Sequence, residues 1–372
     1  MIFNKTGRLL RQQFYFNGTQ LENVRTYKYL GFLITPSGEI NSGLKDLRDR
    51  ALKTFMKMKH DLGTAFNHDL LTVLSLIDSL IKPILLYVSD FWGCMKLPKS
   101  NPIENLHMMM CKQILGVQKQ TTNIGVLLEL GRVPMCIYAA KAAIKNWERI
   151  KMGQGNVLLL ASYRNAKEMN LPWILGIKSI LEENAMLNFY VNDYTNDKLF
   201  IHKRVFQRLS DIFHQNSFEN LKSEESKLRT YGTFKKKIGF EKYLSDIKKP
   251  SIRTQVTKFR LSNHRLMIEA GRHNRIPKEM RFCPFCPKSI ENESHFLFEC
   301  SVYQLQRENL LHPITNSIPG FNYFSEGLKL EYMMTDYDFN VCTYIANCFE
   351  LRQFLLSKPK RNNYKLPCRK VK

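Results

Sequence analysis

Acidic residues are scarce in this chain. Its 372 residues hold 33 Asp and Glu against 56 Lys and Arg, leaving a formal net charge of +23. Such an excess goes beyond the needs of solubility and points to a polyanionic partner, nucleic acid ahead of anionic membrane. Long apolar runs are missing as well. The richest stretch, Val73 to Trp92, is interrupted by Asp78, Lys82, Pro83 and Asp90, so no transmembrane helix is expected. No apolar h-region follows Met1, so no secretory signal is expected. The nine cysteines are irregularly spaced, as reduced thiols inside the cell would be, nuclear or cytoplasmic. A Gly-rich phosphate loop, a Ser/His/Asp set and paired carboxylates at credible spacing are all absent, which argues against an independent hydrolase.

One dense constellation stands out: Cys283-Pro284-Phe285-Cys286, then His295, then Cys300. Two cysteines two residues apart, each followed by proline (Pro284 and Pro287), form a tight turn aimed at one point. The His and third Cys complete four soft ligands, the set of a structural Zn2+ site. The alternative is chance proximity in a chain with 9 Cys and 9 His, and the repeated Cys-Pro favours the metal. Three thiolates and one imidazole leave no position open for water, so the site predicts folding and binding rather than hydrolysis.

A content of 44% hydrophobic residues is ample for buried cores in two or three domains. The class expected is mainly α with a small N-terminal β-hairpin region, an α+β chain. Phe14-Tyr15-Phe16, the turn Asn17-Gly18 and Tyr27 to Ile34 read as two or three short strands with no helix before residue 43 to cover them. From Leu44 the period becomes helical: Leu44, Leu47, Ala51, Phe55, Met58 and Leu62 share a stripe, with Lys45, Arg48, Lys53, Lys57 and Lys59 largely off it. Further helices are expected over Asp69 to Val88, interrupted by Pro83, over Pro102 to Leu115, and from Val133-Pro134 to Met152. Gly153 and Gly155 mark a break. Residues 156–250 are helical in tendency and carry no recognisable chemistry.

Positive charge concentrates in residues 222–281, with 17 Lys or Arg against 6 Asp or Glu. Tyr231, Phe234, Phe240, Tyr243 and Phe259 are interleaved with it. Such a stretch suits phosphate contact and stacking on unpaired bases, although the usual place of a large aromatic is the core. Lys235, Lys236, Lys237, Arg253, Arg260 and Arg265 are the candidate phosphate contacts, with Arg281 and Lys288 presented beside the metal site. Residues 313–351 are acidic. The last 21 residues hold eight Lys or Arg and no acid, a basic and disordered tail including Lys358-Pro359-Lys360-Arg361, a nuclear-localisation patch or a solvated end.

Several segments together resemble the downstream part of a non-LTR (LINE-type) retrotransposon reverse transcriptase. Tyr27-Lys28-Tyr29-Leu30-Gly31 is similar to a primer-grip-like strand that follows the palm. Lys82-Pro83-Ile84-Leu85-Leu86-Tyr87 to Phe91-Trp92-Gly93 is similar to a thumb signature, with Val88 where that family usually has Gly. Ile103-Glu104 to Cys111-Lys112, Leu115-Gly116-Val117 and Glu129-Leu130-Gly131-Arg132-Val133-Pro134 follow in the family's order, and the Cys/His cluster is similar to its CCHC zinc knuckle. The family's palm carries an aromatic-x-Asp-Asp turn, whereas this chain has no adjacent Asp-Asp; Asp336-Tyr337-Asp338 is the nearest pattern and reads as a solvated turn.

The resemblance implies a truncated palm-end hairpin (1–43), a thumb-like helical bundle (44–155), a helical linker region (156–250), a basic segment with the zinc knuckle (251–312), the acidic segment (313–351) and the tail (352–372). The chain would be catalytically incompetent, binding RNA or RNA–DNA hybrid and, less selectively, duplex DNA, with a protein partner covering its N-terminal hairpin. Two alternatives stay open: a zinc-stabilised protein-interaction module, and a thumb and knuckle working with a palm supplied in trans.

Overall fold

The computed structural model describes all residues except 5, 9–11, 98–99, 154–156, 193–199, 224–225, 336–338 and 358–372. Helices dominate, beside two antiparallel hairpins: β1 (Phe14–Phe16) with β2 (Thr19–Leu21), and β3 (Tyr27–Tyr29) with β4 (Phe32–Ile34). Both turns place two successive residues at positive φ, Asn17 with Gly18 and Leu30 with Gly31, the backbone that two-residue hairpin loops favour. The first hairpin is exposed throughout.

The second hairpin gains cover from the helix that follows it. Phe32 is buried, and its ring lies on Gly43 of α1 (Asn41–Leu62), where an added Cβ would meet Phe32 Cζ at 2.2 Å. Arg50 Nη2 also donates to Gly31 O at 2.9 Å, and the Tyr87 hydroxyl donates to Leu30 O. Along α1 the expected stripe of Leu44, Leu47, Ala51, Phe55 and Met58 is buried, while Lys45, Arg48, Lys53 and Lys57 face solvent.

Next, α2 (Leu70–Leu76) starts on Asp69, whose carboxylate accepts from Thr72 N at 3.2 Å. Pro83 lacks an N–H and crowds the preceding turn. The chain accommodates it with a wide π-turn at Ile77–Ile81 before α3 (Lys82–Leu85). It then passes through Val88 at φ 55° and ψ 22° into α4 (Ser89–Trp92). A β-branched residue in the left-handed region costs about 1–2 kcal/mol. Val88→Gly is therefore expected to raise stability by about 0.5 kcal/mol, the added freedom of an unfolded glycine offsetting part of the relief. Chemical denaturation measures this; a loss above about 1 kcal/mol would mean that the half-buried Val88 side chain outweighs its backbone strain.

Helices α5 (Pro102–Leu115), α6 (Asn123–Glu129) and α7 (Met135–Lys151) follow, then α8 (Val157–Glu168), α9 (Pro172–Glu183), α10 (Asn188–Val191) and α11 (Ile201–Lys222). Residues 157–222 are not a body of their own. Ile177, Leu181, Ile201 and Val205 share one apolar cluster with Ala143, Ile144 and Trp147 of α7. Glu148 adds a polar tie, its carboxylate accepting from Ile201 N at 3.1 Å and meeting His202 Nδ1 at 2.6 Å.

The chain forms two compact units, Met1–Arg229 with Lys237–Glu241, and Thr230–Lys236 with Lys242–Lys372. The second contains α12 (from Arg229–Phe234), α13 (Tyr243–Asp246), α14 (Pro250–Arg260), α15 (Met267–His273), α16 (Gln304–Ser317), α17 (Glu326–Thr335) and α18 (Phe339–Ser357). Phe296 stands at its centre, with ring centroids 4.6 Å from Phe349, 5.0 Å from Tyr303 and 5.8 Å from Phe259. The acidic segment therefore contributes α17 and most of α18 to this core. Residues 352–357, expected in a disordered tail, are the last turns of α18, and Arg352 is buried. The patch at 358–361 and Asp336-Tyr337-Asp338 lie outside the described residues. No helix among the described residues is long and apolar enough to cross a membrane.

Candidate metal centre

The four predicted ligands come together in the second unit. Phe282 and Ile290 form an antiparallel bridge; Cys283 N donates to Ser289 O at 2.8 Å and Ser289 N to Cys286 O at 3.0 Å. These bonds fold the Cys-Pro-Phe-Cys segment into a closed turn. Across from it, Asn292 Oδ1 accepts from His295 N at 2.7 Å at the start of the π-turn His295–Glu299, and Cys300 N returns to His295 O at 2.9 Å.

Cys283, Cys286, His295 and Cys300 place their ligand atoms within 4.8 Å of one another. The Sγ–Sγ separations are 4.0 Å for Cys283–Cys300 and 3.8 Å for Cys286–Cys300. A tetrahedral ion with metal–sulfur bonds of ~2.3 Å sets its sulfurs about 3.8 Å apart, so this donor set fits. Among the described residues His295 Nε2 is buried without a hydrogen-bond partner, while Nδ1 meets Glu299 Oε2 at 3.0 Å. That division leaves Nε2 for the metal and uses the carboxylate to fix the tautomer. Glu299→Ala is expected to weaken metal binding about 10–100-fold. Competition with a chromophoric chelator reads this, and a change under about threefold would make Glu299 a mere surface residue.

Without metal the cluster retains its protons unevenly. The Cys283 thiol is held well below its ordinary value, first by its hydrogen bond from Cys300, against the opposing effect of burial, and then by His295. Cys300 is pushed far up by the same shared proton and by burial. His295 is raised to about 9, chiefly by Cys283 and with help from Glu299. A bound cation displaces the protons of Cys300 and His295, so binding releases protons and weakens on acidification.

Charged side chains, most of them buried, fasten the site to its unit. Glu291 Oε1 lies 3.9 Å from Cys283 Sγ, and the same carboxylate takes two hydrogen bonds from Arg352, at 2.9 and 2.7 Å. Glu291 Oε2 further accepts from Met267 N at 2.6 Å, and His264 Nε2 pairs with Glu293 at 3.1 Å. Arg307 donates to Leu297 O at 2.8 Å and Cys300 O at 2.6 Å. Glu299, four residues after His295 and so one helical turn away, had a readable signal.

The predicted phosphate contacts divide. Lys236, Lys237 and Arg265 are exposed. Lys235, Arg253 and Arg260 are buried, which corrects their reading as phosphate contacts: a guanidinium inside the fold meets carbonyls and rings, not a polyanion. Arg253 Nη1 donates to Ile247 O at 3.0 Å. Arg260 donates to Met334 O at 2.8 Å, with Cζ 4.6 Å from the Phe234 ring centroid and 5.3 Å from that of Tyr243. Arg281 also turns inward, bonding Ile276 O and Ile268 O at 2.9 Å each. Tyr231, Phe234, Tyr243 and Phe259 are core residues. A scan against protein-family models, a search of curated proteins and a search of solved structures each find no match.

Proposed function

We propose that this chain binds RNA or RNA–DNA hybrid, as the thumb-and-knuckle end of a non-LTR retrotransposon reverse transcriptase without a polymerase centre of its own, and that its metal is structural zinc. The observation that carries this reading is a set of three cysteine sulfurs and one imidazole within 4.8 Å, in a chain of net charge +23. Two further features support it. The segments that carry the resemblance bond to one another or to the helices beside them: Tyr87 to Leu30 O, Trp92 Nε1 to Tyr87 O at 2.9 Å, Glu104 to Met135 N at 2.7 Å and Arg132 to Asp78 at 2.7 Å. Val88 adopts a left-handed backbone at the position where the resembled family has glycine.

The test is fluorescence anisotropy of the zinc-loaded chain with single-stranded RNA, RNA–DNA hybrid and duplex DNA, at two salt concentrations and after chelation. Steeply salt-dependent binding that loses its preference on chelation supports the reading. Binding indifferent to ligand and zinc reduces it to a generic polycation, and no binding overturns it. A second reading, a protein-interaction module or a thumb awaiting a palm in trans, is favoured by Phe14, Tyr15, Phe16 and Leu21, all exposed on the first hairpin. The interaction module predicts an affinity for its protein partner that salt barely changes, and the thumb predicts polymerase activity only when a palm is added.

A further inference from the structure

Just before the first candidate metal ligand, the chain holds a half-exposed phenylalanine on a backbone with little freedom. Phe282 is 42% exposed and Met280, two residues earlier, 60% exposed. Phe282 is bridged to Ile290 on one side and followed by Cys283, while the inward guanidinium of Arg281 locks the residue before it. Along the sequence the stretch holding the ring is mainly basic. Residues 272–288 contain five Lys or Arg and one acid, Glu279. Lys278 and Lys288 are exposed, Lys278 in the single 3-10 turn leading to Phe282 and Lys288 in the turn closed by the Cys283 N to Ser289 O bond.

We propose that Phe282, flanked by Lys278 and Lys288, is a stacking platform for an unpaired base of a single-stranded nucleic acid. The proposal deepens the nucleic-acid reading above and rests on it. A fixed, exposed ring offers a face to any base, and its ordering cost is already met by the fold, while adjacent ammonium groups take the flanking phosphates. In a duplex both faces of each internal base are covered by its neighbours. The platform therefore selects unpaired strands, which the charge alone cannot do.

The experiment compares the zinc-loaded full chain with Phe282→Ala, Phe282→Leu and Lys278→Ala/Lys288→Ala, binding a labelled single-stranded RNA of about twelve nucleotides and a duplex of equal phosphate number. Zinc content and circular dichroism are recorded for each. Phe282→Ala is expected to weaken single-strand binding about ten- to hundredfold, leaving duplex binding and the salt slope unchanged. Phe282→Leu keeps apolar bulk without the ring and should lose nearly as much, which keeps the test valid if the alanine variant loses zinc. The double lysine variant should instead flatten the salt slope, by about 0.7 for each lost contact. Unchanged single-strand affinity in a zinc-loaded Phe282 variant, with salt-steep binding intact, overturns the platform and leaves the nucleic-acid reading standing. Absence of binding by the parent chain overturns both.

Discussion

Replacing Cys286 with Ser is expected to remove a ligand of the candidate metal site and to unfold the second unit as a whole, leaving the helices between Asn41 and Lys151 intact. A metal module of residues 280–303 alone would predict a smaller loss. The structure enlarges it, because the π-turn carrying His295 also carries Phe296 and Leu297, both fully buried. Phe296 stacks on Phe349 of α18, and the Tyr344 hydroxyl bonds Leu297 O at 2.9 Å. A structural zinc contributes on the order of 10–16 kcal/mol of apparent binding free energy at neutral pH, more than a domain's usual net stability of about 5–15 kcal/mol can spare. Hydrogen exchange checks this residue by residue. Loss of protection throughout α14 and α18, with α1 and α7 unchanged, is the expected pattern. Retained protection in α14 and α18 would make the metal a passenger, and a collapse of α1 and α7 would show that the first unit depends on the second.

The next largest effect is expected at Arg352. Its side chain and that of Glu291 are 7% and 1% exposed, and the two are joined by a bidentate pair. Removing one partner of a buried ion pair leaves the other charge without water or counterion, at a cost of about 3–5 kcal/mol. Arg352→Met should destabilise the second unit by that amount. It should also lower metal affinity, since the stranded Glu291 carboxylate stands beside Cys283 Sγ and repels its thiolate. Adding Glu291→Gln removes the stranded charge and should recover part of the loss. Denaturant titration of the single and double variants measures the coupling. A single-variant loss below about 1 kcal/mol would place Arg352 in an environment as wet as a surface ion pair.

The metal cluster was legible in the sequence because its chemistry is local. All four ligands fall between Cys283 and Cys300, and thiol and imidazole at that spacing have few other uses. The stripe on α1 was legible for a similar reason, since helical period and burial agree along it. The buried cations were not. Lys235, Arg253 and Arg260 sit in a basic stretch where each Lys or Arg looks alike. What separates Arg260 from Arg265 is a carbonyl 74 residues away in sequence, on Met334, and a cage of rings that only the fold assembles. Arg352 was hidden for the same reason, its partner lying 61 residues upstream while the sequence around it reads as a solvated tail. The cover over the second hairpin was missed because it comes from a helix that begins after the strands, with a glycine, Gly43, admitting the Phe32 ring.

The union of metal turn and aromatic core also dictates an order of assembly during synthesis. The ligands span a short loop whose closure entropy is small, so the nascent chain can capture its ion soon after Cys300 leaves the ribosome. Phe296 must then wait for Phe349 and Glu291 for Arg352, partners that emerge only after about fifty further residues, a few seconds at ordinary translation rates. During that interval only the turn's own backbone bonds, and any ion held by the four ligands, keep it closed, with one ring and one carboxylate still without their partners. A metal taken up at this site would make its supply at the moment of translation, rather than in the finished cell, decide how much of the chain reaches its native form.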